Sequence, residues 1–486
     1  MTLRRRTFLK QSAATAAALT MPAASYARIL GANDTLRVAC IGIRSRGKDH
    51  IRGLQAIDGV QVVALCDADQ GILSSGAADF EKAGHGTVAQ YQDLRHVMDQ
   101  QDIDIVATAT PNHWHSLIAI LACQSGKDVY VEKPISHNIW EGRQVVTAAR
   151  QHGRIVQTGT QSRSSPGLHQ AFRWIQEGNL GPIKLSRGLC YKPRTSIGKV
   201  NGEQAPPKGL DYNLWTGPAP LVPLRRKQLH YDWHWDFLTG NGDLGNQGIH
   251  QMDMCRWALG HMTLPTSVLS VGTRVGYDDD ANTPNTQFVY MDFGDAPVIF
   301  EVRGLPAKSK GNKWGGGDMD VYKGARIGVV VHCAGGYLSV HSYSGAIAYD
   351  NNGQEVARFE ESGNHYKNFI SAVRSRDTGE LNSNILEGHL SSAMCHMGNV
   401  SYLMGQEKSA GQIREELRDN PDAQETYDRM LLHLACNDIA LDKKPLRLGP
   451  ILKMDPQSER FIDDDRANEL ATRRYREPFV VPSLDA

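Results

Sequence analysis

The chain has 486 residues, with 53 basic and 53 acidic side chains, a formal net charge of +0 and 41% hydrophobic residues. That length accommodates two domains with full-sized cores. The charge balance argues against a nucleic-acid binder, because neutralising phosphates requires concentrated Lys and Arg.

Residues 1–27 combine a basic start, an Ala-rich stretch and small residues at Ser25 and Ala27, the pattern of a cleavable signal peptide. The segment Arg5-Arg6-Thr7-Phe8-Leu9-Lys10 resembles the twin-arginine signal that exports folded proteins in bacteria. A periplasmic location is therefore expected. No later run reaches the roughly 18 apolar residues of a membrane span, so no membrane association is expected once the signal is removed. Eight cysteines are present. Cys40, Cys66, Cys123, Cys255, Cys395 and Cys436 lie in apolar strand-like or helix-like stretches, with no CxxC pair, and are expected mostly as buried free thiols.

From residue 36 the runs LRVACIG, VQVVALCD, TVAQY, DIDIVATAT, DVYVEKP and RIVQTG alternate with stretches of helical periodicity. Such repetition builds a parallel, doubly wound sheet. Residues 36–162 are thus read as a Rossmann-type α/β domain. Residues 163–405 begin with a helix, GLHQAFRWIQEG, and continue with IKLSRGLCYK, TSVLSVGTRV, TQFVYMDF, PVIFEVRG, ARIGVVVHC and GYLSVHSY. Strands in succession without crossover helices favour a large, mostly antiparallel sheet, so the second domain is read as α+β. Within it KSKGNKWGGGDMD reads as a mobile surface loop. Residues 406–486 are read as a helical tail.

The first strand ends in CIGIRSRGKDH, where a dinucleotide-binding loop belongs. Gly42 and Gly47 frame the loop, but Arg44 stands where the second glycine is normal. That position lets backbone approach a pyrophosphate closely. An inward Arg44 would block the approach; an outward one, with Arg46, would pair with phosphate oxygens or cover the adenine. Asp67, ending the second strand 20 residues after Gly47, is placed to accept hydrogen bonds from ribose hydroxyls. It would repel a 2′-phosphate, which favours NAD over NADP.

DIVATATPNHWHSLIAILACQSGKDVYVEKPISHN resembles the glucose-fructose oxidoreductase, inositol dehydrogenase and MocA (Gfo/Idh/MocA) family. Members carry a TP-x-x-x-H turn after the fourth strand and an EKP motif after the fifth, here Thr110, Pro111 and His115, then Glu132, Lys133 and Pro134. The resemblance implies an NAD-dependent oxidoreductase acting on a sugar or glycoside, in a homodimer or homotetramer formed through the second sheet. The nucleotide-binding set is then Gly42, Arg44, Ser45, Arg46, Gly47, Asp67, Thr110, Pro111, Asn112, His115, Glu132, Lys133 and Gln161. Lys133 precedes a proline at the carboxyl end of a parallel strand, where open sheets bind ligands and where a cis bond is affordable. Beside a cationic nicotinamide its pKa would fall.

In TGNGDLGNQGIHQMDMCRWALG a Gly-rich turn leads into a helix carrying Asn246 and His250, four residues apart and so on one face. The family pairs an aspartate with a catalytic histidine; here Asn246 replaces it. Asparagine can hold an imidazole but cannot stabilise imidazolium as a carboxylate does. The catalytic set is Lys133, His250 and Asn246, with Asp253 as either a support for His250 or a helix-stabilising residue. Substrate binding is assigned to Tyr191, Arg194, Trp233, His234, Trp235 and His250, aromatic faces packing on sugar rings. No metal is expected: His230 and His234 have H-x-x-x-H spacing without the glutamate of HExxH.

A cofactor freely exchanged would be lost after export, so the expectation is NAD loaded before export and retained. Two schemes regenerate it: oxidation of one sugar coupled to reduction of another, or a redox-neutral glycoside hydrolase working by oxidation and elimination. A third reading is a catalytically silent carbohydrate-binding protein.

Overall fold

A computed structural model describes residues 35–307, 319–442 and 445–484. The signal peptide and twin-arginine segment, and residues 308–318 of the loop KSKGNKWGGGDMD, lie outside the described residues.

Every strand expected in the first domain is present. β1 (Leu36–Ile41), β2 (Val60–Cys66), β3 (Ala89–Tyr91), β4 (Ile105–Thr108), β5 (Asp128–Val131) and β6 (Val156–Thr158) form a parallel sheet of order β3-β2-β1-β4-β5-β6. β1, β4 and β5 are almost wholly buried, as continuous apolar runs must be when helices cover both faces of a parallel sheet. Asn138 starts the helix Ile139–Gln151 by accepting from the Glu141 amide. The topological switch lies between β1 and β4, so their carboxyl ends open a crevice.

The second sheet comprises β7 (Ile183–Tyr191), β8 (Ser267–Thr273), β9 (Thr286–Asp292), β10 (Val298–Arg303), β11 (Ile327–Cys333), β12 (Gly336–Val340), β13 (Gly345–Asp350), β14 (Glu355–Glu360), β15 (Gln406–Lys408), β16 (Leu446–Leu448), β17 (Leu452–Asp455) and β18 (Arg460–Phe461). All its pairings are antiparallel except β7 with β10. Residues 406–486, read as a helical tail, contribute the short strands β15–β18 as well as helices at Ala410–Glu416, Pro421–Ala435 and Asp465–Leu470. Pro421–Ala435 packs on the sheet through Tyr427, Met430 and Leu434.

The chain then returns to the first domain. Arg473 bonds His137, the Tyr475 hydroxyl donates to Glu141 at 3.0 Å, Phe479 packs edge-on against Trp114 at 5.4 Å, and the Leu484 amide donates to Gln144. All eight cysteines are free and seven are buried; Cys436, placed by its sequence context in an apolar stretch, is exposed at the end of its helix. No helix among the described residues is long and apolar enough to cross a membrane.

Candidate active site

A cleft of about 920 Å³ opens at the carboxyl ends of β1, β2, β4 and β5 and is closed on its far side by the second domain. Its size lies at the upper end of ligand pockets, roughly 300–1,000 Å³. Every residue expected at the nucleotide except Gly47 lines it.

The loop solves the problem of its missing glycine by moving the unusual backbone. Gly42 has φ 75°, and an added Cβ would lie 2.8 Å from the Thr110 amide nitrogen. Arg44 is not among the positive-φ residues; Ser45 is, at φ 45° and ψ −105°, a conformation that side chains other than glycine rarely adopt. Arg44 is exposed and leaves the cleft open. Gly47 is essential for a different reason: a Cβ there would sit 2.0 Å from the Gly42 carbonyl oxygen. Gly47→Ala is therefore expected to weaken nucleotide binding about tenfold or more, equivalent to roughly 1.4 kcal/mol, as calorimetric titration would measure. The helix Arg46–Gln55 begins without a side-chain cap, so its positive end remains available to phosphate.

Arg46 lines the cleft already partnered: its Nε donates to Glu132 at 2.8 Å and its guanidinium also pairs with Asp49, so it ties the loop to the EKP motif. Glu132 also accepts from His50 at 3.1 Å and from Gln161 at 3.3 Å. Burial alone would raise its pKa, but His50 and Arg46 hold it well below the ordinary carboxylate value. At the other end, Asp67 accepts from the amides of Ile43 and Asp69 at 3.2 and 3.1 Å, which fixes its carboxylate at the mouth of the loop. Burial pushes its pKa up, and those two amides oppose the shift.

His115 is a clamp: its ring nitrogens lie 2.6 Å from the Pro134 carbonyl oxygen and 2.8 Å from that of Thr110. It joins the two family turns rather than offering a free nitrogen to a nucleotide. Asn112 is likewise engaged, donating to Asn241 of the second domain at 2.8 Å.

The Lys133-Pro134 bond is cis. Lys133 Nζ donates to the Asn246 backbone carbonyl at 2.9 Å. Its pKa is lowered first by removal from water and then by Arg46, Lys192 and Arg194, against the opposing pull of Glu132. Desolvation and protein cations are thus sufficient without the nicotinamide charge anticipated above.

His250 lines the same end, but the helix is interrupted at Gln247, so Asn246 closes one short helix, Gly242–Asn246, and His250 opens the next, Gly248–Leu259. Among the described residues the Asn246 side chain has no hydrogen bond to His250, whose Nδ1 is buried without a partner. The idea that Asn246 holds the imidazole is corrected: Asn246 acts through its backbone, on Lys133. Asp253 does not support His250 either. It is gripped by Arg163 at 2.8 and 2.9 Å and by Ser391 at 2.7 Å in the core behind the site. Burial and the Lys133 charge push His250 down to about 3, so its imidazole is neutral.

His234 is also held neutral, at about 3, chiefly by burial. Its Nδ1 lies 2.6 Å from the Tyr231 carbonyl oxygen; a carbonyl only accepts, so Nδ1 carries the proton and Nε2 the lone pair. Trp233 stacks on this ring at 3.6 Å and lines the cleft. Arg194 lines it too, its guanidinium fixed by Asp243 at 2.7 Å.

Two substrate assignments fail. Trp235 is buried behind the site beneath the Arg194 guanidinium, 5.0 Å from its ring centre. Tyr191 faces the opposite side of β7, where its hydroxyl donates to Glu301 at 2.7 Å.

Sequence reasoning missed Gln247 and Tyr343. Gln247 Oε1 accepts from Lys192 Nζ at 2.8 Å and its Nε2 donates to the Tyr343 hydroxyl oxygen at 2.8 Å. Tyr343, in the turn between β12 and β13, stands edge-on to His250 with ring centres 5.1 Å apart. Proximity to His250 was the one available signal for Gln247; for Tyr343 there was none.

A doubly wound sheet with a nucleotide crevice, whose own Lys133 faces two neutral imidazoles from a second domain, is the arrangement of a two-domain, dinucleotide-binding protein of the oxidoreductase type. Residues 36–160 match the family model described as an oxidoreductase family, NAD-binding Rossmann fold, and residues 177–326 match its C-terminal alpha/beta domain. The chain belongs to the Gfo/Idh/MocA oxidoreductase family. It is 36% identical over 120 residues to a glycosyl hydrolase family 109 protein of Shewanella pealeana, covering 24% of this chain and 26% of that protein. It is 29% identical over 164 residues to inositol 2-dehydrogenase of Salmonella paratyphi B, covering 33% and 47%. The chain thus matches less than half the length of these curated relatives. The WlbA dehydrogenase of Bordetella pertussis, solved with NADH and UDP-GlcNAcA, shares the fold with TM-score 0.54 and 18% identity over 75% of this chain and 95% of that one.

The site fits NAD. Gly42 would allow the close backbone approach, the uncapped helix start would receive phosphate, and Asp67 would bond the adenosine ribose.

Proposed function

We propose that this protein oxidises a hydroxyl of a sugar or glycoside by hydride transfer, with NAD that stays bound through the catalytic cycle. The observation that carries the reading is the convergence of Lys133, His234 and His250 on one end of a cleft whose other end is Asp67. When bound, NAD accepts and returns the hydride. Lys133 is the base: in its neutral form it keeps one N–H on the Asn246 carbonyl and offers its lone pair to the substrate hydroxyl proton. His250, neutral and beside Lys133, hydrogen-bonds the same oxygen. His234 accepts from a neighbouring hydroxyl through Nε2, and Trp233 presents an apolar face to the ring.

Gln247 sets the direction of a further bond. The Lys192 ammonium only donates, so the amide oxygen of Gln247 faces it and the amide nitrogen faces Tyr343. Tyr343 must accept there, which leaves its own phenolic proton for a substrate oxygen. Tyr343→Phe is expected to raise KM for the sugar about tenfold, the loss of roughly 1.4 kcal/mol expected for one such bond, with a smaller change in kcat. Steady-state kinetics on the best sugar substrate would measure both.

Mass and absorbance spectra of the ligand released from denatured protein, followed by a panel of free sugars and aryl glycosides, test the reading. Release of no nicotinamide nucleotide, together with none binding on addition, would overturn it. A second reading, redox-neutral glycoside hydrolysis, is favoured by His234, a second neutral base beside Lys133 able to take a proton from the carbon next to a transient ketone, and by the glycosyl hydrolase name of one relative. Aryl glycosides hydrolysed without added acceptor would select it. The arginine pair near the start of the chain supports export with nucleotide already in place, by a twin-arginine route to the periplasm. Fractionation of cells making the wild type and Arg5→Lys/Arg6→Lys protein tests that. Family resemblance supports a dimer or tetramer through the second sheet, which light scattering would read.

A further inference from the structure

The second domain reaches back over the adenosine end of the cleft with a segment that neither the loop motif nor the EKP motif accounts for. Leu210 forms an antiparallel bridge with Asp69, the residue two beyond Asp67. The Asp211 amide donates to the Ala68 carbonyl at 3.0 Å, and the Gln70 amide donates to that of Gly209 at 3.1 Å. His230 Nε2 pairs with Asp69 at 2.9 Å. Gln92 donates to both the Ala68 and Gly209 carbonyls, stitching the two strands of the bridge together.

The segment is held at a second loop as well. The Trp215 carbonyl accepts from Trp114 Nε1 and lies 3.0 Å from His113 Nε2, both in the helix that follows β4. Trp215, Leu224 and Leu229 form a small core of their own, against which Ala68 packs. Leu214, Trp215, His230 and Tyr231 face Asp67, Ala68 and Ile72 across the cleft. An adenosine whose ribose is bonded by Asp67 therefore lies between the end of β2 and this segment.

We infer that residues 209–230 are a nucleotide clasp: a wall of the adenosine site contributed by the second domain, which must unlatch from Asp69 before NAD leaves or enters. The inference rests on the reading that the cleft holds NAD, and it supplies the means of retention which that reading needs. Opening breaks the Asp69–Leu210 bridge, the bonds of Asp211 to Ala68 and of Gln70 to Gly209, and the Asp69–His230 pair; Lys133, His250, Trp233 and His234 lie outside the clasp, so it governs exchange rather than chemistry.

The test uses the full chain loaded with NADH. Release is followed by the fall in NADH fluorescence on mixing with excess NAD, and capture by its rise on mixing NADH with protein stripped of nucleotide. His230→Ala removes the side-chain latch; Asp211→Pro removes the amide that bonds Ala68. Each is expected to raise the release rate tenfold or more and the capture rate by a similar factor, because a gate acts on both directions. Release at the wild-type rate in both variants would overturn the clasp. So would faster release with unchanged capture, which marks a lost contact rather than a gate. If one variant fails to fold, by circular dichroism, the other decides. Failure of the wild type to bind NADH at all would instead strike the nucleotide reading itself, and the clasp with it.

Discussion

Lys133→Met is expected to lower kcat/KM by a factor of about 10²–10⁴, the usual contribution of a positioned general base, while the protein still retains its nucleotide. Methionine keeps an unbranched side chain one atom shorter and removes both the bond to the Asn246 carbonyl and the lone pair that would take the hydroxyl proton. The pH dependence separates this residue from the imidazoles. His250 and His234 are both pushed down to about 3, so neither gains a proton as the pH falls through the ordinary histidine range. Lys133 is displaced downward from the ordinary lysine value by desolvation and by Arg46, Lys192 and Arg194. The wild-type rate should therefore rise with pH through the lowered lysine ionisation, with no inflection of an ordinary histidine near 6.5. Steady-state rates from pH 5 to 10 would measure this. A Lys133→Met enzyme turning over at the wild-type rate would remove the base from the scheme.

The second large effect concerns stability. Glu301 lies in the second domain with its carboxylate bonded by Arg187 at 2.8 Å, by Arg429 at 2.6 Å and by the Tyr191 hydroxyl at 2.7 Å. Burial would raise its pKa, but Arg429 and Arg187 bring it to about 2 from an ordinary 4.5. Glu301→Ala removes the buried counter-charge of Arg187 and Arg429, leaving them only the half-exposed Glu425, and is expected to destabilise the protein by about 3 kcal/mol, read as a lower thermal midpoint. The wild type should show the same dependence in acid. The folded-state pKa is depressed, so the unfolded chain takes up the proton first. The stabilisation of about 3 kcal/mol is complete above about pH 4.5 and is lost as the pH falls toward 2. Thermal midpoints of wild type and Glu301→Ala should therefore converge over that interval.

This cluster also shows why parts of the site were illegible in the sequence. Adjacent strand residues point to opposite faces, so Tyr191, on the side of Glu301, and Lys192, on the side of the cleft, cannot share a role although they are neighbours in the chain. Trp235 was misplaced for a related reason: an aromatic next to a site residue is as often behind a site as in it. The six strands of the first domain were legible because a strand buried on both faces is a continuous apolar run. Lys133, His250 and Asp67 were legible because strand ends and motif spacing fix where they lie.

What spacing could not supply was partnership across the fold. Arg46 reaches Glu132, 86 residues away, and so meets the cleft already paired with a carboxylate, which its position in the loop did not reveal. Gln247 lay in plain view between Asn246 and His250, but its meaning depends on Lys192 and Tyr343, which come from two different strands' ends. The clasp was invisible for the same reason, since a stretch rich in turn formers carries no periodicity to say what it covers.

The return of residues 473–484 to the first domain sets an order on biosynthesis. Arg473 meets His137 across 336 residues of sequence, and Phe479 braces Trp114, which lines the adenosine side of the cleft. A nascent chain can form its Rossmann sheet early, yet that side of the pocket stays unbraced until these late-emerging residues have been made. Loading of nucleotide is thereby tied to the emergence of residues 473–484, and a polypeptide lacking this stretch is expected to fold its first half and still hold the ligand poorly.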